Sequence, residues 1–295
     1  MESTPYRMFS PWRVLAITTN TLIELVRQKV FYVLLIFALI LIGSSVFMAR
    51  FTFQQEFQIL KDVSLGAMSI FTSILAIVAT ARLIPQDNED RTLYTILAKP
   101  VPRYEYILGK LLGVLLLLAI SIAVMAVLFT AVLYFREQSV LDDTWRQMRS
   151  APPGQLDEAL NAIRASGLNG DIFIGVTVIF LKASLLAALT LFISTFATTN
   201  IFTVVVMVFV YFIAHLEPIA REYWLQQRHA GWITRGFLAL VVLIFPDLQA
   251  FNLVDDIVAG VAIPMAIFTK TALLGIFYIV IYTLAAIFVF YGKEL

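Results

Sequence analysis

Four stretches of this chain, Val30–Ala49, Val63–Ala81, Leu111–Phe135 and Thr271–Tyr291, carry no charged side chain at all. A helix needs about 20 mostly apolar residues to cross the hydrocarbon of a bilayer, and each stretch is near or above that length. A fifth, Ile172–Leu216, is too long for one crossing. Ser194, Thr195 and the run Thr198-Thr199-Asn200 interrupt it, so it reads as two helices, about 172–196 and 200–216, joined by a short turn. The pattern predicts an all-α integral membrane protein with six spans. None of these stretches shows the alternation of a transmembrane β-barrel strand. The first span is too long in its apolar core, and lacks a small-x-small site after it, to be a cleavable signal peptide.

Composition excludes the competing classes. The apolar set makes up 60% of the 295 residues and Asp, Glu, Lys and Arg only 14%, an excess that a soluble core of this size could not hide. The 24 Phe and 11 Tyr are equally foreign to a disordered chain. A net charge of +1 gives no reason to expect nucleic acid as a partner. With no Cys there is no disulfide framework or thiolate chemistry.

Orientation follows Lys and Arg in short loops. Arg7, Arg13, Arg27 and Lys29 precede the first span, and Arg82, Arg91, Lys99, Arg103 and Lys110 follow the second. Placing both groups in the cytoplasm puts the 136–171 loop outside, with six acidic residues against four basic ones. Arg221, Arg228 and Arg235 then also lie outside, against the rule, but the denser groups favour N-in and C-in. Gly236–Phe245, ended by Pro246, is apolar yet too short to cross, and reads as a re-entrant or interfacial segment (236–246). Ile257–Thr269, with Gly260 and Pro264, belongs on the same side, between spans five and six.

Residues 11–29 read as an amphipathic helix ahead of the first span. Arg13, Asn20, Glu24 and Arg27 fall in one stripe, Val14, Leu15, Leu22, Leu25 and Val26 lie roughly opposite, and Ile17 falls on the wrong side. Such a helix lies in the interface, as an anchor or as a transmitter of force. In the cytoplasmic loop 82–110, Asp87, Asn88, Glu89 and Asp90 crowd the start of a short helical pattern, where negative charge suits the helix dipole. Leu93, Ile96 and Leu97 give that pattern one apolar face, and Pro100 and Pro102 stop it and stiffen its exit. The face suits either docking in a groove of another protein or packing back on its own bundle.

This loop resembles the signature of ABC-2 type permeases, the membrane subunits of one large class of ABC exporter. An acidic residue, Thr-Leu, a Leu-rich turn, Pro-Val-x-Arg and Gly-Lys recur there in order. Here they are Asp87 and Glu89, Thr92-Leu93, Ile96-Leu97, Pro100-Val101-Pro102-Arg103 and Gly109-Lys110. Arg91 stands where Gly usually precedes the Thr, and Pro102 where Ser is frequent. Glu24 and Arg27 match the Glu-x-x-Arg of the family's N-terminal connecting helix. Pro246-Asp247-Leu248, Phe251-Asn252 and Gly260 resemble the segment after span five in the branch related to permeases for multicopper enzyme and nitrous oxide reductase maturation. The end FYGKEL, from Phe290 to Leu295, resembles the family's C-terminus, so the likeness runs along nearly the whole chain.

The resemblance implies a dimer of six-span permeases, with a second copy or a paralogue, in a bacterial inner membrane. It implies ABC ATPase subunits beneath, which would hold the ATP and Mg; this chain is expected to bind no cofactor and no metal. The coupling loop on the ATPase would comprise Asp87, Glu89, Asp90, Arg91, Thr92, Leu93, Ile96, Leu97, Pro100, Pro102 and Arg103. A phosphate-cradling G-x-x-x-x-G-K-[ST] is absent, because Tyr104 replaces the first Gly before Gly109-Lys110 and Leu111 the hydroxyl residue. The chain is therefore expected to be no enzyme itself.

Three further residues stand out. Lys182, inside span four, either lines a conduit, pairs across the dimer or snorkels to the outer headgroups. Gly109 and Gly113 form G-x-x-x-G at the start of span three, where small residues allow close helix approach. His215, Glu217 and His229 lack the spacing of a zinc site, and Asp142-Asp143 and Asp255-Asp256 read as solvated loop acids. The expected output is export of a hydrophobic or amphiphilic substrate; ATP-driven mechanical work on an extracytoplasmic partner through 136–171 is the alternative. A stand-alone secondary transporter or intramembrane enzyme, the third class, would need more ionisable residues in its spans.

Overall fold

The computed structural model describes residues 9–50, 56–89, 102–149, 152–226 and 246–292. Among these there is no strand. In chain order the helices are α1 (Pro11–Val26), α2 (Lys29–Arg50), α3 (Glu56–Ala81), α4 (Leu83–Glu89), α5 (Arg103–Gln147), α6 (Pro153–Ser166), α7 (Asp171–Phe196), α8 (Asn200–Gln226), α9 (Val254–Val258) and α10 (Met265–Tyr291), with a 3-10 turn at Gln249–Phe251.

α7 is the axis of the bundle. It has no polar face, and a helix apolar all round belongs inside. Val178, Ile179, Leu185, Leu186, Ala188 and Leu191 are all buried, against α3, α5 and α10. The outer helices do the reverse. α2 exposes Val33, Ile36, Phe37 and Ile40, and α10 exposes Leu273, Phe277, Leu284 and Phe288. In water such a belt would be an aggregation surface; in hydrocarbon it is the ordinary exterior. Five helical stretches are long and apolar enough to cross a membrane: Lys29–Phe47, Glu56–Glu89, Arg103–Gln147, Gly154–Phe196 and Met265–Tyr291. The apolar part of α8, Asn200–Leu216, is shorter. The chain is an all-α integral membrane protein.

Polar contacts sort the helix ends into two groups. At one end Arg82, after α3, donates to Gln28 in the α1–α2 turn (3.2 Å), and Arg103, opening α5, donates to the Phe290 and Tyr291 carbonyls that close α10 (3.1 and 2.7 Å). At the other end Glu56 of α3 pairs with Arg136 of α5 at 2.6 Å, and the Leu168 N–H donates to Glu137 (3.1 Å). There too the Leu248 N–H reaches the Ala214 carbonyl of α8 (3.3 Å).

Several boundaries depart from the hydropathy reading. α5 starts at Arg103, not 111, and runs to Gln147, past 135. Its 45 residues make a rod of about 68 Å. That is roughly twice the hydrocarbon thickness, so the helix is far longer than one crossing requires. The charges that end the apolar run do not end the helix, because Glu105, Lys110 and Arg136 each find a partner along it. The 136–171 loop is therefore largely helical: α5 rises out of the bundle and α6 packs back against it. α10 starts at Met265 rather than 271, with Pro264 in an extended N-cap conformation, and the exposed Lys270 does not interrupt it. Gly260 turns the chain just before, at a φ of 73° that favours glycine. Of the 236–246 segment only Pro246 is among the described residues; the chain beyond it buries Leu248, Phe251 and Ile257 against the bundle.

With no native Cys, single replacements test the two ends cleanly. Asn88→Cys on α4 and Asp157→Cys on α6 should react with a membrane-impermeant maleimide from opposite sides of intact vesicles; same-side labelling would contradict the sorting.

Candidate functional site at the base of the 82–110 segment

Where α1 crosses the start of α5, glycine decides the geometry. A Cβ on Gly109 would come within 2.7 Å of Ile17 Cβ, and one on Gly113 within 2.7 Å of Thr21 Cβ. Two knobs four residues apart on α1 thus sit in two notches four residues apart on α5, and Thr18 Oγ1 donates to the Gly109 carbonyl (3.2 Å). Val14, Thr18, Thr21 and Leu25 are buried in this seam, while Trp12 and Leu15 are exposed. Gly109 and Gly113 therefore receive the N-terminal helix. Ile17, which looked misplaced in an interfacial helix, lies on the side that meets α5.

Charges lock the seam at each end. Arg13 grips Glu105 with two nitrogens, Nε to Oε2 at 2.7 Å and Nη2 to Oε1 at 2.9 Å, and the Ser10 N–H adds a third donor at 2.8 Å. Glu105 is wholly buried. The Arg13 hydrogen bond comes first among the causes that hold its carboxyl below its ordinary value, ahead of the opposing effect of burial. One turn further along α5, Lys110 Nζ stands 2.7 Å from Asp87 of α4 and 3.7 Å from Glu24 of α1. The Tyr106 hydroxyl donates to the same Asp87 oxygen, and its ring stacks on Phe290 of α10, centroids 5.6 Å apart. Burial first, then the Asp87 charge, pushes the Tyr106 phenol well above its ordinary value and keeps it a donor. Asp87 and Lys110 are both buried. Arg103 caps the last carbonyls of α10, groups that no helix can satisfy internally. α1, α4, α5 and α10 thus meet at the two flanks of the segment between α3 and α5.

Not every residue singled out in the sequence is in this cluster. Asp90, Arg91, Thr92, Leu93, Ile96, Leu97 and Pro100 lie outside the described residues. Asp87 is buried in the cluster, Glu89 is exposed at the end of α4, and Pro102 is the N-cap of α5. Glu24 faces Lys110, whereas Arg27 is exposed in the α1–α2 turn. Arg13 and Glu24, assigned to the water-facing stripe of an interfacial helix, turn instead to α5. Lys182 is buried on α7, 3.3 Å from His215 of α8. The roles of Arg13, Glu105 and Tyr106 were missed. Their signal was present, since Glu105 and Lys110 bracket the first glycine of G-x-x-x-G on the same helix.

A family model described as ABC-2 family transporter protein matches residues 48–287. This chain belongs to that family, whose members are membrane components of ABC transporters and work with ABC ATPases. No curated protein matches it.

Removing Lys110 strands a buried carboxylate. Lys110→Met should cost about 3–5 kcal/mol of stability. Glu24→Gln, at the longer and more open contact, should cost about 1 kcal/mol or less; unfolding midpoints in detergent compare the two. The contribution of Glu105 is complete above the ordinary carboxylate range and is lost as pH falls through its lowered pKa. Glu105→Gln should therefore flatten the acid limb of the stability profile.

Proposed function

We propose that this chain is the permease of an ABC exporter in a bacterial inner membrane, N-in and C-in, working as a dimer with a second copy or a paralogue. ATP and Mg belong to separate ATPase subunits, and the 82–110 segment docks on them. Closure of the ATPases pushes on that segment, and the push reaches the bundle through its two flanks. The observation that carries the reading is the cluster of Asp87, Tyr106 and Lys110. It joins the last described residues before the Leu93–Leu97 motif to the helix that follows it, and through Glu24 and Phe290 to α1 and α10. A lever needs such a rigid root, and four helices converge on this one. The cargo is hydrophobic or amphiphilic, in keeping with a bundle that is rich in aromatics and nearly free of charge.

A second reading draws on the outer end. There α3, α5 and α6 enclose an open cavity of about 630 Å³, lined by Glu56, Arg136, Asp143, Thr144, Gln147 and Ile163 among others. Such a feature suits contact with an extracytoplasmic partner, on which the complex would act mechanically without transport.

Leu93→Asp or Leu97→Asp should leave the protein inserted and lower stimulation of the ATPase by about tenfold or more, as burying an unpaired charge in an apolar contact does. Wild-type stimulation in both variants would overturn the coupling role of the segment.

A further inference from the structure

Among the described residues three lysines are buried: Lys61, Lys110 and Lys182. Lys110 has Asp87, and Lys61 lies in the field of Asp171 and Glu137. Lys182, midway along α7, has neither kind of support. Its Nζ is 3.3 Å from His215 Nε2 and 5.8 Å from the centre of the Tyr211 ring. The other imidazole nitrogen, Nδ1, is 2.9 Å from the Tyr211 carbonyl. A carbonyl only accepts, so Nδ1 carries the proton and donates to it, and the Nε2 lone pair accepts from the lysine ammonium. Both partners of Lys182 are neutral. Among the described residues no carboxylate stands within ion-pair distance of Lys182 or His215. Asp247, whose field reaches His215, accepts the backbone N–H groups of Gln249 and Ala250.

A full positive charge inside a spanning helix, with dipoles around it and no counter-charge among the described residues, is costly to keep and marks a site of function. Its neutral partner sits at a boundary. His215 is half-buried on α8, where Phe212 and Leu216 are exposed to the outside of the bundle. An anion arriving along that apolar face would meet the imidazole first and the ammonium directly behind it. The surroundings select what carries the anion: an apolar chain fits beside Phe209, Phe212 and Leu216, and a small hydrated ion does not.

We infer that Lys182 and His215 form a recognition site for the anionic head, carboxylate or phosphate, of a long-chain amphiphile, the imidazole holding the ammonium until the anion replaces it. That this ligand is cargo rests on the exporter reading; that it binds does not. The test uses the full chain in phosphatidylcholine vesicles with spin-labelled stearate, phosphatidylglycerol or phosphatidylcholine, and no nucleotide or ATPase. Wild type and Lys182→Arg should hold stearate, phosphatidylglycerol or both about fivefold more strongly than phosphatidylcholine. Lys182→Met should lose the preference. Preference for stearate alone assigns a carboxylate and for phosphatidylglycerol alone a phosphate. No preference in wild type, or the same preference in Lys182→Met, overturns the site. Should Lys182→Met fail to fold, a diazirine fatty acid on the wild-type protein decides: adducts on the α7 and α8 peptides around Lys182 and His215 uphold the site, and adducts confined elsewhere overturn it. Failure here would leave the Leu93 and Leu97 outcomes untouched.

Discussion

An ammonium and a carboxylate 2.7 Å apart, both shut away from water, fix where the 82–110 segment leaves and rejoins the bundle. Lys110 and Asp87 come from opposite flanks of that segment, so their contact closes its base like a clasp. Neither group is tolerable there alone, since a buried charge without its partner costs several kcal/mol. That mutual need makes the base specific. The Tyr106 hydroxyl supplies Asp87 with a further donor, and the Tyr106 ring carries the contact to Phe290. Disturbance of the segment therefore reaches α5 and α10 at once, with α1 joined through Glu24 and Arg13.

The bilayer sets the other half of the architecture. With lipid outside, apolar side chains gain little by moving inward, and close packing and polar contacts decide which helices touch. The α1–α5 seam shows this plainly. Its centre is glycine against Ile17 and Thr21, and its ends are ion pairs. α7 needs no such devices, because it is surrounded.

Helix existence was legible wherever an uncharged run was long. The polar run Thr198-Thr199-Asn200 marks the turn between α7 and α8, because small hydroxyl and amide side chains favour turns and caps. The ends of α5 were not legible. Hydropathy treats Glu105, Lys110 and Arg136 as costs, whereas the fold neutralises each with a residue distant in sequence: Arg13, Asp87 and Glu56. Long-range pairing leaves no trace in a local window. The same blindness misplaced Ile17, since amphipathicity assumes that the second face meets water and here it meets a helix. At the site, Asp87 and the two glycines could be picked out from their neighbours, but Arg13 and Tyr106 acquire meaning only once α1 and α4 are seen beside α5.

The most direct measurement is a double-mutant cycle over Asp87→Asn and Lys110→Met, read as stimulation of the partner ATPase and as the unfolding midpoint of the permease. If the pair is the root through which the segment drives the bundle, each single change lowers both quantities and the double variant is no worse than the poorer single one. Losses that simply add, as they do for residues without mutual contact, would contradict it.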